Sequence, residues 1–261
     1  MITIYWGINT RVIPEGLRVD PPVPIIKKII KDRVTEDIAH EINYHRCPAF
    51  ADALTNVYGM KSVYDYGIQI ENDEIATNTP NKTSMEVKQN FFQQHVTVRS
   101  IKGRLFSFAQ DMVFFTETPS LIMSQLPPFM EDNNIMKNTI IIPGQFDIGK
   151  YFRTLDFAWH FREGCNTIEF NRKEIAFYLR FHTKEKIKFQ RFLFTPELSD
   201  YHQMIIGSRN NKSPELLSKA LNFYYNIFDK YNFKNKILKI IKENLCKKED
   251  LEGNVITKEV K

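Results

Sequence analysis

The chain has 261 residues, 43% of them hydrophobic, with 21 Phe and 11 Tyr, enough for a sizeable core in one large domain or one domain with an appendage. Charged residues make up 26%, ordinary for a globular chain, and no apolar run approaches the roughly 18 residues that a membrane span requires. The net charge of +5 is uneven: residues 1–208 carry 24 Lys or Arg against 24 Asp or Glu, while 209–261 carry 12 against 7, so a neutral body argues against a nucleic-acid partner and the tail differs in kind.

In chain order, Met1–Ile8 reads as a strand, and Pro14, Pro21, Pro22 and Pro24 then keep the backbone extended. Ile25–Lys31 reads as a short helix, and Thr35–Tyr58 as a longer helical region broken near Pro48. Val63–Ile70 and Glu74–Thr79 flank the turn residues Glu71-Asn72-Asp73 and predict a β-hairpin, followed by a polar loop at Asn78–Ser84. Strands are predicted at Val96–Val98, Leu105–Phe115 and Leu121–Met130, with Glu131–Lys137 as loop. Further strands follow at Thr139–Ile142, Phe152–Phe161, Thr167–Phe170, Ile175–His182 and Lys186–Phe194.

Short strands at roughly ten-residue spacing imply an antiparallel sheet protein rather than a parallel α/β sheet. The expected fold class is α+β, mostly β: an antiparallel β-sandwich or jelly-roll-like body over 1–208, with N-terminal helices and a helical appendage over 209–261. Thr195-Pro196-Glu197 and Ser213-Pro214-Glu215 both read as helix starts, a hydroxyl cap followed by Pro and an acid. After Ser213, Leu217, Ala220, Leu221, Tyr224, Ile227, Phe228 and Tyr231 form an apolar stripe, resumed by Ile237, Leu238, Ile241 and Leu245 beyond a break near Asn232–Asn235. Such a stripe packs on the body or on another chain, so the 213–245 region is the expected contact for a protein partner or a second copy. Gly207–Lys212 is the expected hinge.

Gly144-Gln-Phe-Asp-Ile-Gly149-Lys150-Tyr151 matches all but the last position of a phosphate-binding G-x-x-x-x-G-K-[ST] loop. Tyr151 replaces the hydroxyl that holds Mg²⁺. The segment after it alternates Leu155, Phe157, Trp159 and Phe161 as a strand does, whereas such a loop must open a helix. Asp147 would also repel phosphate. The segment is therefore a connection between strands, with Gly144 and Gly149 expected to supply unusual backbone angles.

His40-Glu-Ile-Asn-Tyr-His45 misses the H-E-x-x-H zinc spacing by one residue, which turns the two imidazoles about 140° apart on a helix. None of the six histidines has an acid two residues on, so the usual His-x-Asp/Glu iron site has no start. Cys47, Cys165 and Cys246 are far apart with no C-x-x-C, which suits a reducing compartment and no zinc centre. The N-terminus lacks a basic region followed by an apolar stretch, so no secretory signal is expected. No cofactor is implied. Aromatic residues beside Arg180 and Arg191 are expected to fill the core rather than stack nucleic-acid bases. The polar groups left as tentative ligand contacts are Asp147, Lys150, Arg153, His160, His182 and Lys184, expected to gather at one end of the strands.

Several segments in combination resemble a family of uncharacterised proteins of marine tailed bacteriophages, mostly cyanophage-like myoviruses. They are Ile4-Tyr-Trp-Gly7, Cys47-Pro48-Ala49, Lys61-Ser62 with Tyr64-Asp65, Phe114-Phe115-Thr116, Gly144–Lys150 with Arg153, and Phe181-His-Thr-Lys-Glu-Lys186. The resemblance covers about residues 1–205. It implies a phage origin, a location in the virion or the host cytoplasm, and no activity or catalytic residues to carry over. A non-enzymatic structural or binding protein is the expected function, with a small-molecule enzyme on a jelly-roll-like scaffold as the alternative.

Overall fold

A computed structural model describes residues 1–9, 19–27, 47–72, 74–78, 85–99, 104–210, 225–226 and 228–246. The fold is α+β and mostly β, with its strands in four sheets. The first sheet is β15 (Ile187–Arg191), β1 (Ile2–Ile8) and β8 (Met112–Phe115). Its β1–β15 pair is parallel and its β1–β8 pair antiparallel. The second is wholly antiparallel, in the order β10 (Thr139–Ile142), β12 (Asp156–Phe161), β7 (Leu105–Ala109), β6 (Val96–Val98). The third runs β11 (Gln145–Asp147), β9 (Ile122–Leu126), β14 (Ile175–Phe181), β3 (Val57–Lys61), β2 (Val23–Pro24). The fourth joins β13 (Thr167–Phe170) to the expected hairpin, β4 (Tyr66–Glu71) with β5 (Glu74–Thr77), turned at Asn72 with φ 50°.

The helices with both ends described are α1 (Pro48–Ala53), α2 (Met85–His95), α3 (Asn134–Asn138), α4 (Pro196–Asn210) and α5 (Phe233–Glu243). The helical region expected over 35–58 ends by Ala53, and Val57 and Tyr58 already belong to β3; residues 35–46 lie outside the described residues. The stretch 131–137, expected as loop, holds α3, whose first turn is capped by Asn133 accepting from the Met136 amide at 3.0 Å. The helix expected from Ser213 lies outside the described residues over 211–224.

The first sheet is a wall between two cores. Along β1, Ile2, Ile4, Trp6 and Ile8 enter the main core, which the phenylalanines of β7 and β12 dominate. The alternate residue Tyr5 faces a second core with Val113, Phe115, Phe152, Phe192 and Phe194. Both faces of β1 are buried, which is why its sequence is apolar at nearly every position, Thr3 excepted, rather than alternating. Gly7 is needed here: a Cβ at this position would meet the Phe192 ring at 2.7 Å, and Phe192 is buried.

The second core is closed by Ile237, Leu238, Ile240 and Ile241 of α5. Asn232 (φ 51°) turns the chain into α5, and Leu245 beyond it bridges to Phe192. The domain boundary expected at 208 falls inside α4, and the apolar face of α5 is covered by the chain's own body. This part of the expected docking stripe is used internally, so it offers no free face to a second copy. The run 105–115, expected as one strand, is two strands in different sheets. Gln110 and Asp111 separate them, and Asp111 adopts φ 50°, a left-handed conformation that Asp tolerates better than most residues.

Candidate functional site

The six tentative ligand residues do not gather at one end of the strands; three local environments hold them. The Gly144–Tyr151 segment holds the C-terminal helical region. Asp147 is buried, its Oδ1 accepts from the Gly149 amide at 2.9 Å, and its own amide donates to Tyr225 Oη at 3.0 Å. Lys150 pairs with Asp229 at 2.6 Å. A Cβ on Gly149 would stand 3.1 Å from Lys234 Nζ and from the Thr118 carbonyl, and 3.2 Å from Asp147 Oδ1. Gly149 therefore sits at a close approach, where a side chain would force its neighbours to give way by a few tenths of an ångström. The expectation of unusual backbone angles fails at both glycines, because Gly164 is the glycine with positive φ among the described residues. Burial pulls the Lys234 ammonium below its usual range, with Asp147 opposing. The loop's polar groups thus bind an internal partner instead of a phosphate.

His182 and Lys184 follow β14. Ser124 Oγ and His182 Nε2 are 2.6 Å apart, and burial, aided by Arg180, holds His182 below the usual imidazole range. The hydroxyl and the imidazole nitrogen therefore share one hydrogen bond. Asp147 and His182 flank Ile122 from opposite sides: Asp147 is its partner on β11, and the His182 amide donates to its carbonyl. They share one end of the third sheet, two strand spacings or about 10 Å apart. Lys184 is exposed.

A buried polar cluster that sequence reasoning missed lies inside the main core. Tyr64 Oη donates to Asp111 Oδ2 at 2.5 Å, and His95 Nε2 is 3.0 Å from the same oxygen. His95 Nδ1 lies 3.0 Å from the Phe91 carbonyl, an acceptor only, so Nδ1 carries a proton. Nε2 and Asp111 Oδ2 stand at hydrogen-bond distance inside the core, so His95 and Asp111 are tied to each other. Phe91 stacks on the imidazole with centroids 4.0 Å apart, and Tyr64 meets it edge-on. Burial first, then Asp111, raises the Tyr64 phenol and keeps it a donor.

His202 of α4 is also buried. Its Nε2 accepts from the Thr154 amide at 3.2 Å, while Nδ1 has no partner among the described residues. Burial, then the Arg153 charge, pushes its pKa down to about 4, with Asp111 opposing. The unfolded chain therefore takes up this proton near pH 6.5 and the folded one only near pH 4. Stability from this residue is complete above about pH 6.5 and lost as pH falls towards 4, a change of about 3 kcal/mol. Denaturant unfolding across that window measures it. In His202→Gln, which keeps an acceptor for the Thr154 amide, this component of the acid loss should vanish.

The remaining environment is open. The outward face of the second sheet carries Ile140 and Ile142 from β10, Asp156, Ala158 and His160 from β12, and Leu105 and Ser107 from β7. Ile140 and Ile142 are 46% and 42% exposed. At the Asp156 end this face becomes a groove of about 330 Å³, walled by Phe146, Tyr151 and Arg153 on one side and Arg99 on the other. Arg99 is fixed by Ser107 Oγ and Asp156 Oδ2, both at 2.7 Å. Arg153 lies 5.8 Å from the Tyr151 ring centroid, and its buried Nε has no acceptor. Of the six tentative residues, Arg153 lines this groove and His160 stands farther along the same face.

No family model, curated protein or solved structure matches the chain. Among the described residues, no helix is long and apolar enough to cross a membrane, and no cluster of three His, Cys, Asp or Glu is placed to hold a metal ion.

Proposed function

We propose that this chain is a non-enzymatic binding protein of a tailed bacteriophage, either a minor virion component or an accessory protein of the infected cell. The open face of the second sheet carries the reading: two half-exposed isoleucines beside a groove, on a sheet whose other face buries Ile141, Trp159, Phe106 and Phe157 in the core. Exposed apolar area of this kind marks contact surfaces. The polar groups a catalyst would need free support it further. Asp147 and Lys150 are tied to the C-terminal helical region, and Asp111 and His95 to each other. The phage assignment rests on the combined sequence segments.

The second reading, a small-molecule enzyme, draws on the Ser124–His182 contact, a hydroxyl beside an imidazole. Among the described residues no carboxylate orients His182, which leaves this reading behind the first. Mass spectrometry of gradient-purified particles decides between locations. Stoichiometric peptides are expected for a virion component, and these should be lost when Ile140 and Ile142 are both changed to Lys. Peptides confined to infected cells mark an accessory protein, and peptides in neither overturn the phage reading.

A further inference from the structure

The groove at the Asp156 end of the open sheet face has a composition that names a ligand. Its floor is formed by Leu105, Ala158 and the hydroxyl-bearing Ser107. Its two guanidinium groups differ. Arg99 is neutralised and held in place by Asp156, with Ser107 fixing the fork. Arg153 has no carboxylate or carbonyl partner among the described residues, and its Nε is buried without an acceptor. Arg153 is half-buried and lines the groove, so its guanidinium nitrogens other than the buried Nε are the donors that an incoming oxyanion would meet. The groove therefore carries one uncompensated positive charge. Beside it, Phe146 and Tyr151 have ring centroids 4.3 Å apart, and Arg153 lies over the Tyr151 ring. Aromatic rings next to a guanidinium accept a flat ring by stacking while the cation takes an attached oxyanion. A volume of about 330 Å³ lies at the small end of ligand sites and suits one ring system with its charged group.

We infer that the groove binds a nucleoside monophosphate group, its base against Phe146 and Tyr151 and its phosphate on Arg153. The group is supplied either by a free nucleotide or by the 5′ end of a single strand. The inference rests on the open sheet face being a binding surface, and it adds the chemistry of what binds there. The phosphate site is unrelated to the Gly144–Lys150 segment as a phosphate loop, since Lys150 is paired with Asp229. That segment contributes instead through Phe146, which faces the groove.

Isothermal titration of the full chain with inorganic phosphate, adenosine and adenosine 5′-monophosphate tests this. The monophosphate should bind roughly tenfold or more tightly than either fragment, since charge and stacking contribute together. Arg153→Gln should lose that advantage. Arg153→Lys, which keeps the charge but not the planar fork, should recover only part of it. Because Arg153 neighbours His202, Tyr151→Leu serves as a second variant on the solvent side and should weaken the monophosphate and adenosine alike.

A 5′-phosphorylated trinucleotide separates the two sources: tighter binding than the monophosphate assigns the site to strand ends, weaker binding to free nucleotides. A monophosphate no tighter than adenosine, or an affinity unmoved in Arg153→Gln, overturns the inference. Particle association that persists while nucleotide binding fails sinks this inference alone; loss of particle association in the isoleucine variants is read independently of any nucleotide.

Discussion

Asp111→Ala should cost about 3–5 kcal/mol in denaturant unfolding, the usual penalty for removing one member of a buried charge pair. Three effects act in the same direction. His95 keeps the proton it donates to the Phe91 carbonyl but loses the acceptor for its other nitrogen. The Tyr64 hydroxyl loses its acceptor inside the core. Alanine must also occupy φ 50°, which Asp and Asn accept more readily. Asp111→Asn separates these contributions. It retains the backbone preference and an acceptor oxygen, so its loss should be clearly smaller. Equal losses would mean that the carboxylate charge dominates. An alanine variant that loses less than about 1 kcal/mol would contradict a buried Tyr64–Asp111–His95 cluster.

A chain ending at Asn210 should be insoluble or bind hydrophobic dyes, because the second core is finished by α5. Removing Ile237, Leu238, Ile240 and Ile241 uncovers Phe115, Phe152, Phe192 and Phe194, four rings that otherwise pack among themselves and against the helix. The milder variant Ile241→Ala, at a fully buried position, should lose about 2–5 kcal/mol through lost burial and the cavity left behind. A soluble truncated body with an unchanged melting temperature would restore α5 to the role of a separable appendage. It would also reopen that helix as a docking element for another chain.

The strands were legible wherever burial has a simple period. Thr139–Ile142, Thr167–Phe170 and Val96–Val98 lie within the observed elements to the residue, because each alternates or is short and β-branched. Residues 85–95 were not assigned to any element. The apolar residues of α2, Met85, Val87, Phe91 and Phe92, are few among polar neighbours and do not extend into a continuous three-and-four stripe. That helix supplies His95, which is why the buried cluster stayed hidden.

The cluster's three members come from segments 31 and 16 residues apart and meet only in the folded core. The one local signal was Asp111 itself, an acid in the middle of an apolar run, where a strand reading should have broken. The groove was half legible: Arg153 and His160 stood out as polar residues in a strand-rich stretch. Arg99 and Asp156 gain their meaning from pairing across β6, β7 and β12. Lys150 and Asp147 were conspicuous for a real reason, but the partner they select is the chain's own later helix.

The parallel pairing of β1 with β15 sets the order in which this chain can fold as it leaves the ribosome. Met1 and Glu185, joined by an ion pair, are 184 residues apart in sequence. At roughly 5–20 residues per second, about 10–40 s separate the emergence of β1 from that of its partner. Throughout that interval β1 can gain β8 on one side, but its other edge stays unpaired and its Tyr5 face waits for the aromatic residues at 192 and 194. Completion of the sheet therefore waits until residues 187–191 have emerged. Until then the nascent chain presents one unpaired apolar strand edge, the species on which a holding chaperone would act.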